Sequence, residues 1–175
     1  MVTKIHTTKK LEKLAKKLIS YDQDEPDGKL GKWNATYFLL DRKKCWLITN
    51  GPTKYNLILP NIKAPDLKNI DSIFILALSE QLAYDGIVLD PASLSSMIGA
   101  LRFLPTDNDR STTGFQNQRL FEIDCWKQRF NTFETMPIKV INNRLNSVPI
   151  QLGKQKNRHD YTDSISEMKN LLVQL

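Results

Sequence analysis

An α+β fold, a small, mainly antiparallel sheet packed against several helices in a single domain spanning residues 1–175, follows from three observations. Between Trp33 and Leu59 the chain reads as strand-like runs of aromatic and branched residues, broken by turn signals at Asp41-Arg42-Lys43 and Asn50-Gly51-Pro52. Past Pro60 the period changes to that of a helix, with Leu67, Ile70, Phe74, Ala77, Leu78 and Leu82 on one face. The strand runs also follow one another directly, which makes sequential antiparallel neighbours the economical arrangement.

The elements follow in order. Lys4-Ile5-His6 reads as a short strand, and Thr7 or Thr8 can cap the next helix, where Leu11, Leu14, Ala15, Leu18 and Ile19 share a face. Asp22 to Gly31 is rich in Asp, Pro and Gly and reads as a surface loop. Trp33–Leu40 and Lys44–Thr49 form a hairpin, and Tyr55–Leu59 a third strand. The long helix after Pro65 is favoured by Asp66 at its start and ends at Gly86. Pro91 and Ser93 open a shorter helix reaching about Ala100, before a strand at Leu101–Leu104. A helix from about Thr113 turns Phe115, Leu120, Ile123, Trp126, Phe130 and Phe133 inward. Pro137, Pro149 and Gly153 break the segment 136–160 into short pieces with no assignable element. A last helix opens at Asp163 or Ser164 and carries Ile165, Met168, Leu171 and Leu172 at helical spacing.

A chain of 175 residues buries about two thirds of its unfolded surface in one core. Hydrophobic residues at 41% and charged residues at 25% place it in the globular range. No apolar run approaches the roughly 20 residues that span a bilayer. Cys45 and Cys125 show no metal or redox spacing, and the opening Met-Val-Thr-Lys lacks the apolar stretch of a signal peptide, so a cytoplasmic protein without a membrane partner is expected. The net charge of +6 is unevenly placed. Lys9, Lys10, Lys13 and Lys17 form a basic face on the first helix, followed by Arg42-Lys43-Lys44 and by Lys154, Lys156 and Arg158. Such surfaces attract phosphate backbones through counterion release; solvated lysines that keep a small protein soluble are the plainer reading.

The segment Thr106–Arg119 is a polar island between an apolar strand and an apolar helix. Arg110, Ser111, Gly114 and Asn117 lie where a strand gives way to a helix, so exposed amides and an arginine fork could hold a phosphate or carboxylate. Against this stands a structural reading in which Asp107, Asn108 and Asp109 make the turn, Ser111 or Thr112 caps the helix and Gly114 permits close packing. Arg42, Lys43, Thr49 and Asn50 are further candidates for the same ligand. His6 and His159 lack partners at metal-ligand spacing, so neither a metal nor another cofactor is expected. Ser111, His159 and Asp160 compose a triad without a nucleophile elbow. A metal-free, ribonuclease-like enzyme would use His6 or His159 with Arg110 and Lys43. Trp33, Tyr37, Trp46 and Tyr55 alternate with basic residues as base-stacking aromatics would, though strand aromatics are more often core.

These residues carry a resemblance. Lys9-Lys10-Leu11 with Lys13-Leu14, the Trp33-x-Ala35 strand, Asp41-Arg42-Lys43-x-Cys45-x-Leu47-x-Thr49-Asn50, and Arg110-Ser111 leading to Gly114 and Asn117 resemble a family of small uncharacterised bacterial proteins, a domain of unknown function. The resemblance runs from about residue 4 to the final helix. It implies a shared fold and a bacterial or phage setting, and no activity. Gln118-Arg119 departs from the short acidic or polar residue expected there, and the segment after Met136 is longer.

Two classes of function remain, with a third beside them. A small basic binding module would engage nucleic acid or an acidic protein through the first helix, the Arg42–Lys44 turn and the Arg110 island. A small enzyme would act on a phosphate-bearing substrate at that island. A mobile-element accessory or inhibitor protein would share the binding module's charge logic. The isolated histidines favour the first, because acid–base catalysis needs a positioned proton carrier.

Overall fold

The computed structural model describes residues 2–22, 25–130, 132–152 and 161–175. Five strands form one sheet in the order β4-β3-β2-β1-β5: β1 is Val2–Thr7, β2 Trp33–Leu40, β3 Lys43–Asn50, β4 Asn56–Leu59 and β5 Ala100–Leu104. Among the described residues, six α-helices surround it: α1 Lys9–Leu14, α2 Ile70–Tyr84, α3 Pro91–Ile98, α4 Arg110–Lys127, α5 Ile138–Asn146 and α6 Ser164–Val173.

The β2–β3–β4 meander is antiparallel, as expected, with Tyr37 opposite Trp46 and Ile48 opposite Leu57. The sheet as a whole is mixed, which corrects the mainly antiparallel expectation. β1 lies inside the sheet and runs parallel to both neighbours, Ile5 standing opposite Trp33 on one side and Phe103 on the other. A parallel pair needs a crossover connection; α1 supplies one between β1 and β2, and β5 reaches the other side of β1 only after α2 and α3. The meander signal is local, whereas pairing between segments as far apart as Val2 and Ala100 leaves none.

Alternation along the strands divides the core. Trp33, Ala35, Trp46, Ile48, Leu57 and Leu59 face one side, under Phe74, Leu78 and Leu82 of α2, Leu94 of α3 and Met168 of α6. Trp33 meets Phe74 edge-on at 5.3 Å. Phe38, Leu40, Cys45, Leu47 and Ile58 face the other side, under Ile123 of α4 and Ile141 and Leu145 of α5. The two helices expected to cover the sheet therefore do so on opposite faces.

Both outer strands find partners on their outer edges, side chains on β4 and both a side chain and backbone on β5. Asn142 and Asn146, one turn apart on α5, accept from the backbone amides of Ile58 at 3.0 Å and Asn56 at 2.7 Å, and Asn146 Nδ2 returns a bond to the Asn56 carbonyl at 2.9 Å. On β5, Leu101 N–H donates to Asp71 at 3.2 Å, and Ser20 N–H reaches the Phe103 carbonyl at 2.8 Å.

Several boundaries shift. Thr8 caps α1 by accepting from Leu11 N–H, but that helix ends at Leu14 and tightens into a 3₁₀ turn at Lys16–Leu18 instead of running to Ile19. Asp41 and Arg42, both with positive φ (47° and 61°), make a two-residue hairpin turn, shorter than expected. Asp109, rather than Ser111 or Thr112, caps α4, which starts at Arg110 rather than Thr113. Asp163 caps α6. Within 136–160, Ile138–Asn146 is α5, a helix without a sequence assignment.

Candidate functional site

Starting α4 at Arg110 divides the polar island by helical phase. Thr112, Gln116 and Arg119 point into the protein and are almost fully buried, while Arg110, Thr113, Gly114 and Asn117, at the i, i+3, i+4, i+7 spacing of one face, point to solvent.

The inner residues meet the polar end of the sheet, where Asn34, Thr49 and Asn56 stand in register. Gln116 Nε2 donates to the Asn34 carbonyl at 2.8 Å and to Thr49 Oγ1 at 3.2 Å. Thr49 donates to Asn56 Oδ1 at 2.9 Å, and Asn56 Nδ2 to the Lys54 carbonyl at 2.9 Å. Lys54 Nζ then donates to Thr112 Oγ1 at 2.8 Å, which in turn donates to Asp109 at 2.9 Å. Buried polar atoms require such partners, so these residues anchor the helix. Lys32 joins from the loop before β2, 2.7 Å from Asp107 and 3.4 Å from Asp109. Burial pushes the Asp109 carboxyl up, but the Thr112 amide and hydroxyl and the Lys32 charge outweigh it and hold it at about 2. Asp107 is lowered despite burial, by its bond to Lys32, the Asp109 amide and the charge of His6. The bond to Asp107 raises Lys32, and burial lowers Lys54. Arg119 stacks over Phe115 at 4.5 Å and bonds Glu122 at 2.7 Å.

The outer residues line a depression of about 510 Å³ formed by Arg110, Thr113, Gly114 and Asn117 with Thr8, Lys9, Thr106 and Asn108. Lys9 also borders a second depression, of about 460 Å³, with Lys10, Lys13, Leu14 and Tyr37. Leu14 in turn borders a third, of about 370 Å³, with Arg42, Lys43, Lys44, Trp46, Asn61, Ile62, Lys63, Ala64 and Leu67. Lys9 and Leu14 are each shared by two of these depressions, which therefore follow one another beside α1 from the start of α4 to the β2–β3 turn, a series referred to below as the groove. Among the described residues, no carboxylate lines any of the three. Midway, Lys10 Nζ sits 4.7 Å over the Tyr37 ring. Gly114 does not serve close packing, contrary to the structural reading of the island: a Cβ built there meets nothing within 4 Å.

The candidate residues therefore part company. Arg110, Gly114 and Asn117 share a depression with Lys9; Arg42 and Lys43 line the far end; Lys10 and Lys13 lie between. Ser111 is exposed on α4, and Lys17 on the 3₁₀ turn, without lining the groove. Thr49 and Asn50 are buried: Asn50 donates to the Leu30 carbonyl at 2.8 Å and accepts from Thr53 N–H and Oγ1, closing the turn before β4. Trp33, Trp46 and Tyr55 are core residues, while Tyr37 is half-buried. His6 Nδ1 lies 3.1 Å from the Pro105 carbonyl, which fixes the proton on that nitrogen. His159, Asp160 and the Lys154, Lys156, Arg158 group fall outside the described residues. Among the described residues, no group of His, Cys, Asp and Glu is arranged to hold a metal ion, and no helix is long and apolar enough to cross a membrane. Sequence reasoning missed Gln116, Arg119 and Lys54; with Asp109 taken as the cap, helical phase alone would have turned the first two inward.

The chain belongs to the DUF6933 family, a domain of unknown function, whose profile matches residues 4–166 and so spans every element from β1 into α6. No curated protein and no solved structure matches it.

Proposed function

We propose that this DUF6933 domain is a binding module for nucleic acid, holding the phosphate backbone along the groove beside α1. The observation that carries this reading is the succession of three neighbouring depressions with a single sign of charge among their described lining residues. Lys9, Lys10, Lys13, Arg42, Lys43, Lys44, Lys63 and Arg110 line the groove, with no carboxylate among them. Clefts of one sign concentrate counter-ions of the other, and a linear array of cations matches a linear array of phosphates better than a compact ligand. The carboxylates near the start of α4 do not oppose this, since Asp107 and Asp109 are engaged by Lys32.

The enzymatic alternative is less well supported. Arg110 and Lys43 line opposite ends of the groove, and His6 lines none of it. An acidic protein partner remains the other occupant that the charge would suit.

Fluorescence anisotropy with labelled strands of arbitrary sequence tests the proposal. Engaging about five phosphates of a single strand gives a slope of log K against log salt of about −3.5. Lys13→Glu weakens binding and flattens that slope, whereas Lys17→Glu, off the groove, changes little. Absence of binding at about 50 mM salt, where phosphate contacts are strong, refutes the reading.

A further inference from the structure

We propose that the end of the groove nearest the β2–β3 turn seats one unpaired base of a bound single strand, with its flanking phosphates on Arg42, Lys44 and Lys63. The inference rests on the nucleic-acid reading and adds the strand's form and the place where a base leaves the backbone track. The other two depressions are walled largely by polar and basic side chains. This one differs: Leu14, Trp46, Ile62 and Leu67, all buried or half-buried, give it an apolar floor, and the exposed Arg42, Lys44 and Lys63 stand at its rim. At about 370 Å³ it falls within the range of about 300–1,000 Å³ typical of small-molecule pockets. An apolar floor under a cationic rim is complementary to a nucleotide, whose base is flat and weakly hydrated and whose phosphate is charged.

The walls are held independently of any ligand. Ile62 N–H bonds the Lys44 carbonyl at 2.7 Å, tying the outer loop to β3, and Lys63 N–H bonds Asp66 at 2.7 Å, fixing the start of the following turn. Between floor and rim stands Asn61, held at a positive φ of 52° and carrying an amide that both donates and accepts, as base edges require. Trp46, which borders the pocket, is buried, and its indole N–H has no partner among the described residues. Within a duplex every base is stacked and paired, so insertion requires a strand with free bases. Leu14, shared with the neighbouring depression that Lys13 lines, places the pocket beside the same row of cations, as a base leaving a phosphate track requires.

The test compares three labelled ligands of equal phosphate number by anisotropy: a base-containing single strand, a single strand of abasic nucleotides, and a duplex. The wild-type protein is expected to bind the base-containing strand about tenfold more tightly than the abasic one, in keeping with one sequestered base. Ala64→Trp, at an exposed pocket-lining position, is expected to remove that difference and leave abasic and duplex binding unchanged. The wild-type comparison stands alone should the variant melt early. Equal affinity for base-containing and abasic strands overturns the pocket and leaves the groove standing; no binding of any ligand overturns both. Displacement of the strand by a free nucleoside monophosphate at concentrations where inorganic phosphate has no effect assigns the pocket to loose nucleotides and overturns the strand. Tight binding of an acidic, tryptophan-bearing peptide, with none of the oligonucleotides, overturns it in favour of a protein partner.

Discussion

The two faces of α4 should respond to mutation in opposite ways, and Gln116 and Arg110 make the sharpest pair. Gln116 is 1% exposed, and its amide donates to the Asn34 carbonyl and to Thr49. Gln116→Ala removes two well-formed bonds, takes a donor from the Asn34 carbonyl and from Thr49, which keeps its bond to Asn56, and leaves a small void. At about 1 kcal/mol for each bond, with about 1 kcal/mol more for the void, the loss is about 3 kcal/mol. In a domain of this size that lowers Tm by about 6–12 °C. Arg110 is exposed on the opposite face, so Arg110→Ala should cost at most about 1 kcal/mol of stability. It should nonetheless weaken strand binding several-fold and flatten the salt slope by about 0.7, the signature of one lost single-strand phosphate contact. Thermal melts and anisotropy titrations of both variants and the double mutant give the comparison. A Tm loss for Arg110→Ala equal to that of Gln116→Ala, or unchanged binding after it, would refute the division of the helix.

Two further outcomes are expected. Asn146→Ala strands both the amide and the carbonyl of Asn56 on a fully buried edge and should cost about 3 kcal/mol, with increased light scattering as the strand edge opens; a loss below about 1 kcal/mol in a urea melt would show that the edge is satisfied otherwise. The Asp109 carboxyl, held at about 2 against an ordinary value of 3.8, stabilises the fold fully above the ordinary value, and that contribution is lost as pH falls from there toward 2. Asp109→Asn should flatten the decline in urea midpoint across that window, leaving the part due to Asp107, and an unchanged pH profile would remove Asp109 from the account.

Local elements were legible in the sequence because their causes are local. Alternation from Trp33 to Leu59 and helical spacing from Ile70 to Leu82 report which side of each element is buried, and the structure puts those residues in the core. The position of β1 was not legible: Val2–Thr7 offers little more than Ile5 as an apolar anchor, and its central, parallel place depends on partners from distant parts of the chain. The island misled in a different way. Asp109, Ser111 and Thr112 all have capping side chains, and choosing the later two delayed the helix by about one turn, hiding the phase that buries Gln116 and Arg119. Thr49 and Asn50 looked like site residues because a polar pair ending a strand reads the same whether it faces a ligand or closes a turn. Lys9, Arg110 and the Arg42–Lys44 turn were each visible as charge, but their alignment along one groove belongs to the tertiary structure.

The asparagines on α5 also set a schedule for synthesis. β4 leaves the ribosome long before the side chains that cover it, since the Ile58–Asn142 and Asn56–Asn146 bonds span 84 and 90 residues. At about 5–20 residues per second, the meander waits roughly 4–18 s with the amides of one flank unpaired. During that interval the nascent chain exposes an apolar strand that can recruit another. Slower translation upstream of α5 should therefore lower the yield of soluble protein without altering the folded state, and an early-binding chaperone should restore it.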